Sequence, residues 1–145
     1  MKALIQRVER ASVKIEGEIY SSIGFGMLIF LGVEKTDENQ NAQNLAEKLI
    51  NLRIFDDEDG KMNKSLLDIK GEILVVSQFT LASDCKKGTR PSFDKAAPAE
   101  KAQKLYEDFV NIISQYGLVV KTGKFQAMMD VSLINQGPVT FMVEK

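Results

Sequence analysis

Ile73-Leu74-Val75-Val76-Ser77-Gln78-Phe79-Thr80-Leu81 opens as a run of apolar, mostly β-branched residues and closes on two hydroxyls and an amide. The apolar part reads as a buried strand. Upstream, Gly26-Met27-Leu28-Ile29-Phe30-Leu31-Gly32-Val33 is a second short apolar run and reads as a central strand. Before it, Val13, Ile15 and Ile19 recur at even spacing around Glu16-Gly17-Glu18, the pattern of a hairpin with one buried face. Between the two apolar runs, Thr36 is placed to cap a helix with Ala42, Leu45, Ala46, Leu49 and Ile50 on one face. Asp37 and Glu38 would sit where the helix dipole favours negative charge.

Downstream, the polar segment from Ser83 to Ala97, with Gly88 and Pro91, must be a loop. A loop of that length in a compact domain is usually functional. Pro98 suits the first position of a second helix, which carries Ala102, Leu105, Tyr106, Phe109, Ile112, Ile113 and Tyr116 on its core face and stops at Gly117. Leu118-Val119-Val120-Lys121 returns as a strand. Two more strands are predicted over Met128 to Ile134 and Val139 to Val143, interrupted by a turn at Asn135-Gln136-Gly137-Pro138. The expected fold is α+β, a mostly antiparallel, barrel-like sheet with two main helices in one domain over residues 1–145.

Composition narrows the chemistry. The chain has 145 residues, which suits one core, and 44% of them are hydrophobic. No apolar run approaches a membrane span, and Met1-Lys2-Ala3-Leu4-Ile5-Gln6-Arg7 leaves no room for a signal-peptide centre, so a soluble cytoplasmic protein is expected. Cys85 is the only cysteine and there is no histidine. An internal disulfide, a Cys-x-x-Cys site, a Ser-His-Asp triad and a histidine zinc site are thereby excluded. Lys and Arg number 19 against 20 Asp and Glu, a net charge of -1. That balance argues against a general nucleic-acid coat protein but leaves room for a local basic patch that grips one RNA end.

Several segments admit two readings. Asp56-Asp57-Glu58-Asp59-Gly60 resembles a calcium loop, but with Gly60 at its sixth position Phe55 and Leu66 fall where ligands are required, so a solvated turn is expected. Gly24-Phe25-Gly26 lacks the third glycine of a dinucleotide fingerprint. Ser77 to Leu81 is either a strand end whose hydroxyls bond the backbone or a place where backbone N–H groups stabilise a developing oxyanion. Gly137-Pro138 is either an ordinary turn with a trans proline or a cis dipeptide that presents a carbonyl to a ligand. Lys86, Lys87, Arg90 and Lys95 form either a solvated surface or a local RNA grip, diluted by Asp84 and Asp94.

Ser77-Gln78-Phe79-Thr80-Leu81, followed by Lys87-Gly88-Thr89-Arg90-Pro91-Ser92-Phe93, resembles one signature of the D-aminoacyl-tRNA deacylases. Asn135-Gln136-Gly137-Pro138-Val139-Thr140 resembles the other, and the opening Met1 to Val8 and the chain length are also similar. The resemblance runs end to end. It implies a compact barrel-like fold, an obligate homodimer, and hydrolysis of the ester joining a D-amino acid, or mischarged glycine, to the terminal adenosine of tRNA. It implies no metal or cofactor, and no membrane. Carried over, Gly137-Pro138 would be a cis dipeptide inserted into the partner subunit's pocket, where it captures the amino group and rejects L side chains by clash. Arg7 would help hold that loop. Ser77, Gln78, Phe79 and Thr80 would line the pocket, with the Phe79 and Thr80 N–H groups as the oxyanion hole, and Phe125 and Met129 would lie near the adenosine.

Thr80 has no histidine to activate it, and its motif offers no lysine. The resemblance favours help from the ribose 2′-OH, with the protein supplying orientation and backbone electrostatics. Two rivals stay open on sequence grounds: a non-catalytic RNA- or DNA-binding module using Lys86, Lys87 and Arg90, and a general esterase or peptidase for small D-amino acid compounds.

Overall fold

A computed structural model describes residues 1–86 and 88–145. The first strand, β1 (Lys2–Ile15), is the spine. Ala3, Ile5, Val8, Ala11 and Val13 are buried along it. It pairs antiparallel with β3 (Gly26–Gly32) through its first half, with β2 (Glu18–Ile23) through its second, and with β8 (Asp130–Glu144) along both. β3 then pairs in parallel with β6 (Glu72–Ser77), and β6 in parallel with β7 (Val120–Thr122). The Ser21 hydroxyl donates to the Thr122 carbonyl at 2.8 Å, bringing β2 against β7, so the sheet curls into a nearly closed barrel.

The fold is α+β, but the sheet is mixed, which corrects the expectation of a mostly antiparallel one. The chain passes from β3 to β6 through α1 (Asn39–Ile50) and from β6 to β7 through α3 (Ala99–Ser114). A helical crossover delivers the next strand in the same direction as the last. A third, short helix, α2 (Leu66–Ile69), follows the small hairpin of β4 (Phe55–Asp56) and β5 (Met62–Lys64). No helix among the described residues is long and apolar enough to cross a membrane.

Two cores meet at the sheet. Met27, Ile29, Ile73 and Val75 pack with Leu45, Leu49, Leu105, Phe109 and Ile113 under the helices. Leu28, Leu74 and Val76 turn the other way and pack with Val8, Val13 and Ile23 inside the barrel. Both faces of β3 and β6 are therefore covered, which is why their sequences are unbroken apolar runs. Each such side chain contributes about 1.5–3 kcal/mol on burial.

Several local expectations are corrected. Ile19 is 65% exposed rather than part of the buried face. A register shift between Val13 and Lys14 pairs Lys14 with Ile19, so Ile19 follows the outward face of Lys14. Thr36 does not cap α1: Glu38 is the N-cap and shares a reciprocal capping box with Asn41. Asp37 is buried before that helix, where its carboxylate accepts from the Glu34 N–H at 2.7 Å and the Met1 ammonium at 2.7 Å, and so it does not serve the helix dipole. On α3, Leu105, Tyr106, Phe109 and Ile113 are buried, and Ala102 and Ile112 pack partly buried against the core, as expected, but Tyr116 lies past the helix end, exposed. Pro98 stands at the N-cap, one residue before the expected position.

The acidic turn uses its own carboxylate. Asp57 accepts from Asn63 Nδ2 and from the N–H groups of Lys61 and Asp59. The Asn63 bond, with those N–H groups, holds its carboxyl below the usual value of 3.8. A depressed folded-state pKa means stability that is present above the unfolded value and lost as pH falls through the folded one. We expect Asp57→Asn to flatten the acid limb of unfolding, followed by circular dichroism, as pH falls below the usual value of 3.8. An unchanged limb would show that the turn's bonds do not outlast unfolding of their neighbours.

Candidate active site

β6 ends at Ser77, opposite Leu31 of β3, and the Gln78 N–H completes the ladder with a 2.8 Å bond to the Leu31 carbonyl. The chain then tightens into a 3-10 turn, Phe79–Ala82. The Leu81 N–H donates to the Gln78 carbonyl and the Ser83 N–H to that of Thr80. Among the described residues the N–H groups of Phe79 and Thr80 meet no protein acceptor, as the first amides of a helical turn do not. Gly32 makes room for this turn: a Cβ there would lie 2.9 Å from Leu81 Cβ and 3.1 Å from the Gln78 carbonyl oxygen.

Ser77, Gln78 and Phe79 line one wall of a cleft of about 790 Å³. Phe125, Ala127 and Met129 line another, with Ala97 and Ala102 nearby. The structure thus brings together five of the residues singled out from sequence: Ser77, Gln78, Phe79, Phe125 and Met129. Thr80 is next to the cleft rather than on its lining. Gln78 Nε2 donates to Thr80 Oγ1 at 2.5 Å, engaging one of the two lone pairs of that hydroxyl. Phe79 is 56% exposed and leans on Phe93 with ring centroids 5.1 Å apart, so the long loop covers one edge of the mouth. Lys86, Arg90 and Lys95 of that loop are exposed, while Lys87 lies outside the described residues.

Arg7, Gly137 and Pro138 are not on this cleft. Arg7 is 5% exposed and spends its guanidinium on three oxygens. Nε donates to the Gln136 carbonyl at 3.0 Å, and Nη1 to the Ile54 carbonyl at 2.9 Å and Asp56 Oδ1 at 3.0 Å. The two predicted C-terminal strands are one strand, β8, with an excursion in it. Its partners on β1 step from Asn135 opposite Val8 to Thr140 opposite Gln6. Gln136, Gly137 and Pro138 therefore stand out of the ladder, exposed, and the Gly137–Pro138 bond is cis. Asn135 Nδ2 ties the excursion down by donating to the Arg7 carbonyl at 3.0 Å and the Val139 carbonyl at 3.1 Å. Sequence reading passed over Asn135 and Asp56 as turn residues; the Asn-Gln-Gly-Pro run carried a signal for the first, and nothing local did for the second.

A family model described as D-Tyr-tRNA(Tyr) deacylase matches residues 4–144. A D-aminoacyl-tRNA deacylase of Geotalea daltonii is 60% identical over 99% of this chain and 96% of its own length. One of Thermodesulfovibrio yellowstonii is 57% identical over 99% and 98%. A solved structure described as a c-Myc DNA unwinding element binding protein is 43% identical, covers 100% of this chain and 99% of its own, and superposes with a TM-score of 0.94.

Proposed function

Because the chain belongs to the D-aminoacyl-tRNA deacylase family, hydrolases acting on ester bonds, we propose that it cleaves the ester between a D-amino acid, or mischarged glycine, and the terminal adenosine of tRNA. One observation carries the placement of the chemistry: two unengaged N–H groups begin the 3-10 turn at the edge of a cleft large enough for an aminoacylated nucleoside. The Phe79 and Thr80 N–H groups form the oxyanion hole, where one donor is worth about 3–4 kcal/mol in the transition state. Ser77 and Gln78 line the amino-acid side, and Phe125 and Met129 face the adenosine. The ribose 2′-OH of the substrate helps position or activate water. No metal or cofactor takes part.

In this reading Gly137 and Pro138 act in the cleft of a second copy of the chain. Support comes from their placement: they are exposed and do not line their own cleft, and they lie on a loop braced by Arg7 and Asn135. Their carbonyls receive the substrate ammonium, and the braced backbone leaves no room for an L side chain, while a D side chain points out. The test is release of tyrosine from matched L- and D-tyrosyl-tRNA. Loss of only the D ester is expected. Equal hydrolysis of both removes the filter, and sparing of both removes the enzyme.

Thr80 is not the nucleophile in this mechanism. Thr80→Ala is expected to keep kcat within about ten-fold of the wild type, since only a hydroxyl beside the hole is lost. Near-complete loss of deacylation in a folded variant that still binds tRNA would restore Thr80 as the attacking group. The DNA unwinding element binding protein favours a second reading, nucleic-acid binding without turnover. Salt-dependent RNA binding with both esters intact would support it.

A further inference from the structure

Phe125 has a cleft on each side. Besides the one already described, a second, of about 580 Å³, opens between Tyr20 of β2, α3 and the connection from β7. Its walls include Tyr20, Glu107, Asn111, Thr122, Lys124 and Phe125. The floor is Tyr106, buried and fixed: its hydroxyl donates to the Val75 carbonyl at 2.8 Å, and the Gly123 N–H shares that acceptor at 2.9 Å. The Ser21–Thr122 bond holds the strand of Tyr20 against this wall. Tyr20 is 51% exposed. Lys124 is exposed and forms no ion pair among the described residues. Glu107 is the acidic group on the wall, and one of its oxygens is taken by Gln103 Nε2 at 2.9 Å.

An exposed aromatic ring and a free ammonium lining one cleft are what a single nucleic-acid strand needs: a ring for a base to stack on and a cation for the phosphate. Phe125 lines both clefts, and its ring centroid lies 6.0 Å from that of Tyr106. The two clefts are thus separated by one side chain, as consecutive nucleotides are by one phosphodiester. We propose that the second cleft binds the nucleotide that precedes the terminal adenosine, with its base on Tyr20 and the connecting phosphate at Lys124. The proposal rests on the deacylase reading, with the adenosine at Phe125 and Met129. Stacking tolerates any base, so this subsite grips the single-stranded end without reading its sequence.

The test compares D-tyrosyl-adenosine with D-tyrosyl-cytidylyl-adenosine, in which one nucleotide precedes the same ester. The wild type is expected to show a KM roughly ten-fold lower for the dinucleotide. Tyr20→Ala and Lys124→Ala, both at exposed positions, are each expected to erase most of that advantage while kcat and KM on the adenosine ester stay unchanged. Equal wild-type KM values, or an advantage that survives both substitutions, overturns the subsite and leaves the deacylase reading standing. Failure to cleave either ester, with D-tyrosyl-tRNA also spared, overturns both.

Discussion

A mixture of two inactive variants is expected to regain activity. Gly137→Val disables the projecting loop. Even a Cβ there would lie 2.8 Å from Asn135 Oδ1, and that side chain cannot turn away without breaking its bonds to Arg7 and Val139. A displacement of about 1 Å in a positioning group can cost 100-fold in rate, so a loss of that order is expected. Ala127→Trp disables the other half by filling the space between Phe125 and Met129. If loop and cleft come from different copies, neither homodimer has a complete site. A heterodimer has one good site and one doubly damaged. Random exchange makes half the dimers mixed, so about a quarter of wild-type turnover returns. The measurement is D-tyrosyl-tRNA hydrolysis after the two chains are unfolded and refolded together, with sedimentation to establish the dimer. No recovery from a properly mixed dimer would mean that the loop serves its own chain, and the shared site would have to be abandoned.

Arg7→Ala is the second large effect, and it acts on stability and discrimination together. The side chain is buried, and its removal strands the Ile54 and Gln136 carbonyls and unpairs Asp56. Breaking a buried ion pair from one side costs about 3–5 kcal/mol; the half-exposed Asp56 recovers some water, which moves the expected loss to about 2–4 kcal/mol. The excursion at Gln136 then loses one brace, so D-ester turnover should fall by about 100-fold and L-ester cleavage should rise relative to it. Arg7→Lys is expected to resemble Arg7→Ala in discrimination, because one ammonium cannot reproduce a planar fork that meets three oxygens. Denaturant midpoints and the ratio of D to L hydrolysis decide the matter. An Arg7→Ala protein with lowered stability but an unchanged ratio would reduce Arg7 to a structural residue.

Ser77 and Gln78 on the cleft were legible because their chemistry is out of place, whereas Phe125 and Met129 came only from the family resemblance. Ser77 and Gln78 end a strand that is otherwise apolar, and that discord survives in one dimension. The direction of the strands was harder. The unbroken apolar runs of β3 and β6 did hold the information, since only strands covered on both faces can afford them, but the same runs suit a sandwich core. Ile19 failed for a more local reason: a bulge between Val13 and Lys14 breaks a count that assumes a perfect ladder. Thr36 lost to Glu38 because Asn41 supplies the reciprocal half of a capping box, an interaction of two residues that a search for one good cap overlooks. Asp56 could not be found at all, because its partner Arg7 is 49 residues away.

The excursion at Gln136 to Val139 has a consequence for anyone who would redesign it. Ladder residues pin it at both ends, Asn135 against Val8 and Thr140 against Gln6. Five steps of β8 between these pins oppose two of β1, so the alternation of side chains is already interrupted there and does not govern the length of the loop. Adding or deleting residues between the pins would leave everything beyond Thr140 facing as it does now, so long as Thr140 stays opposite Gln6. Shifting the pairing of Thr140 itself by one residue would turn β8 over, sending Phe141 and Val143, which share a face, to the other side of the sheet. Loop libraries at this position should therefore vary the length between Asn135 and Thr140 and leave those two in register.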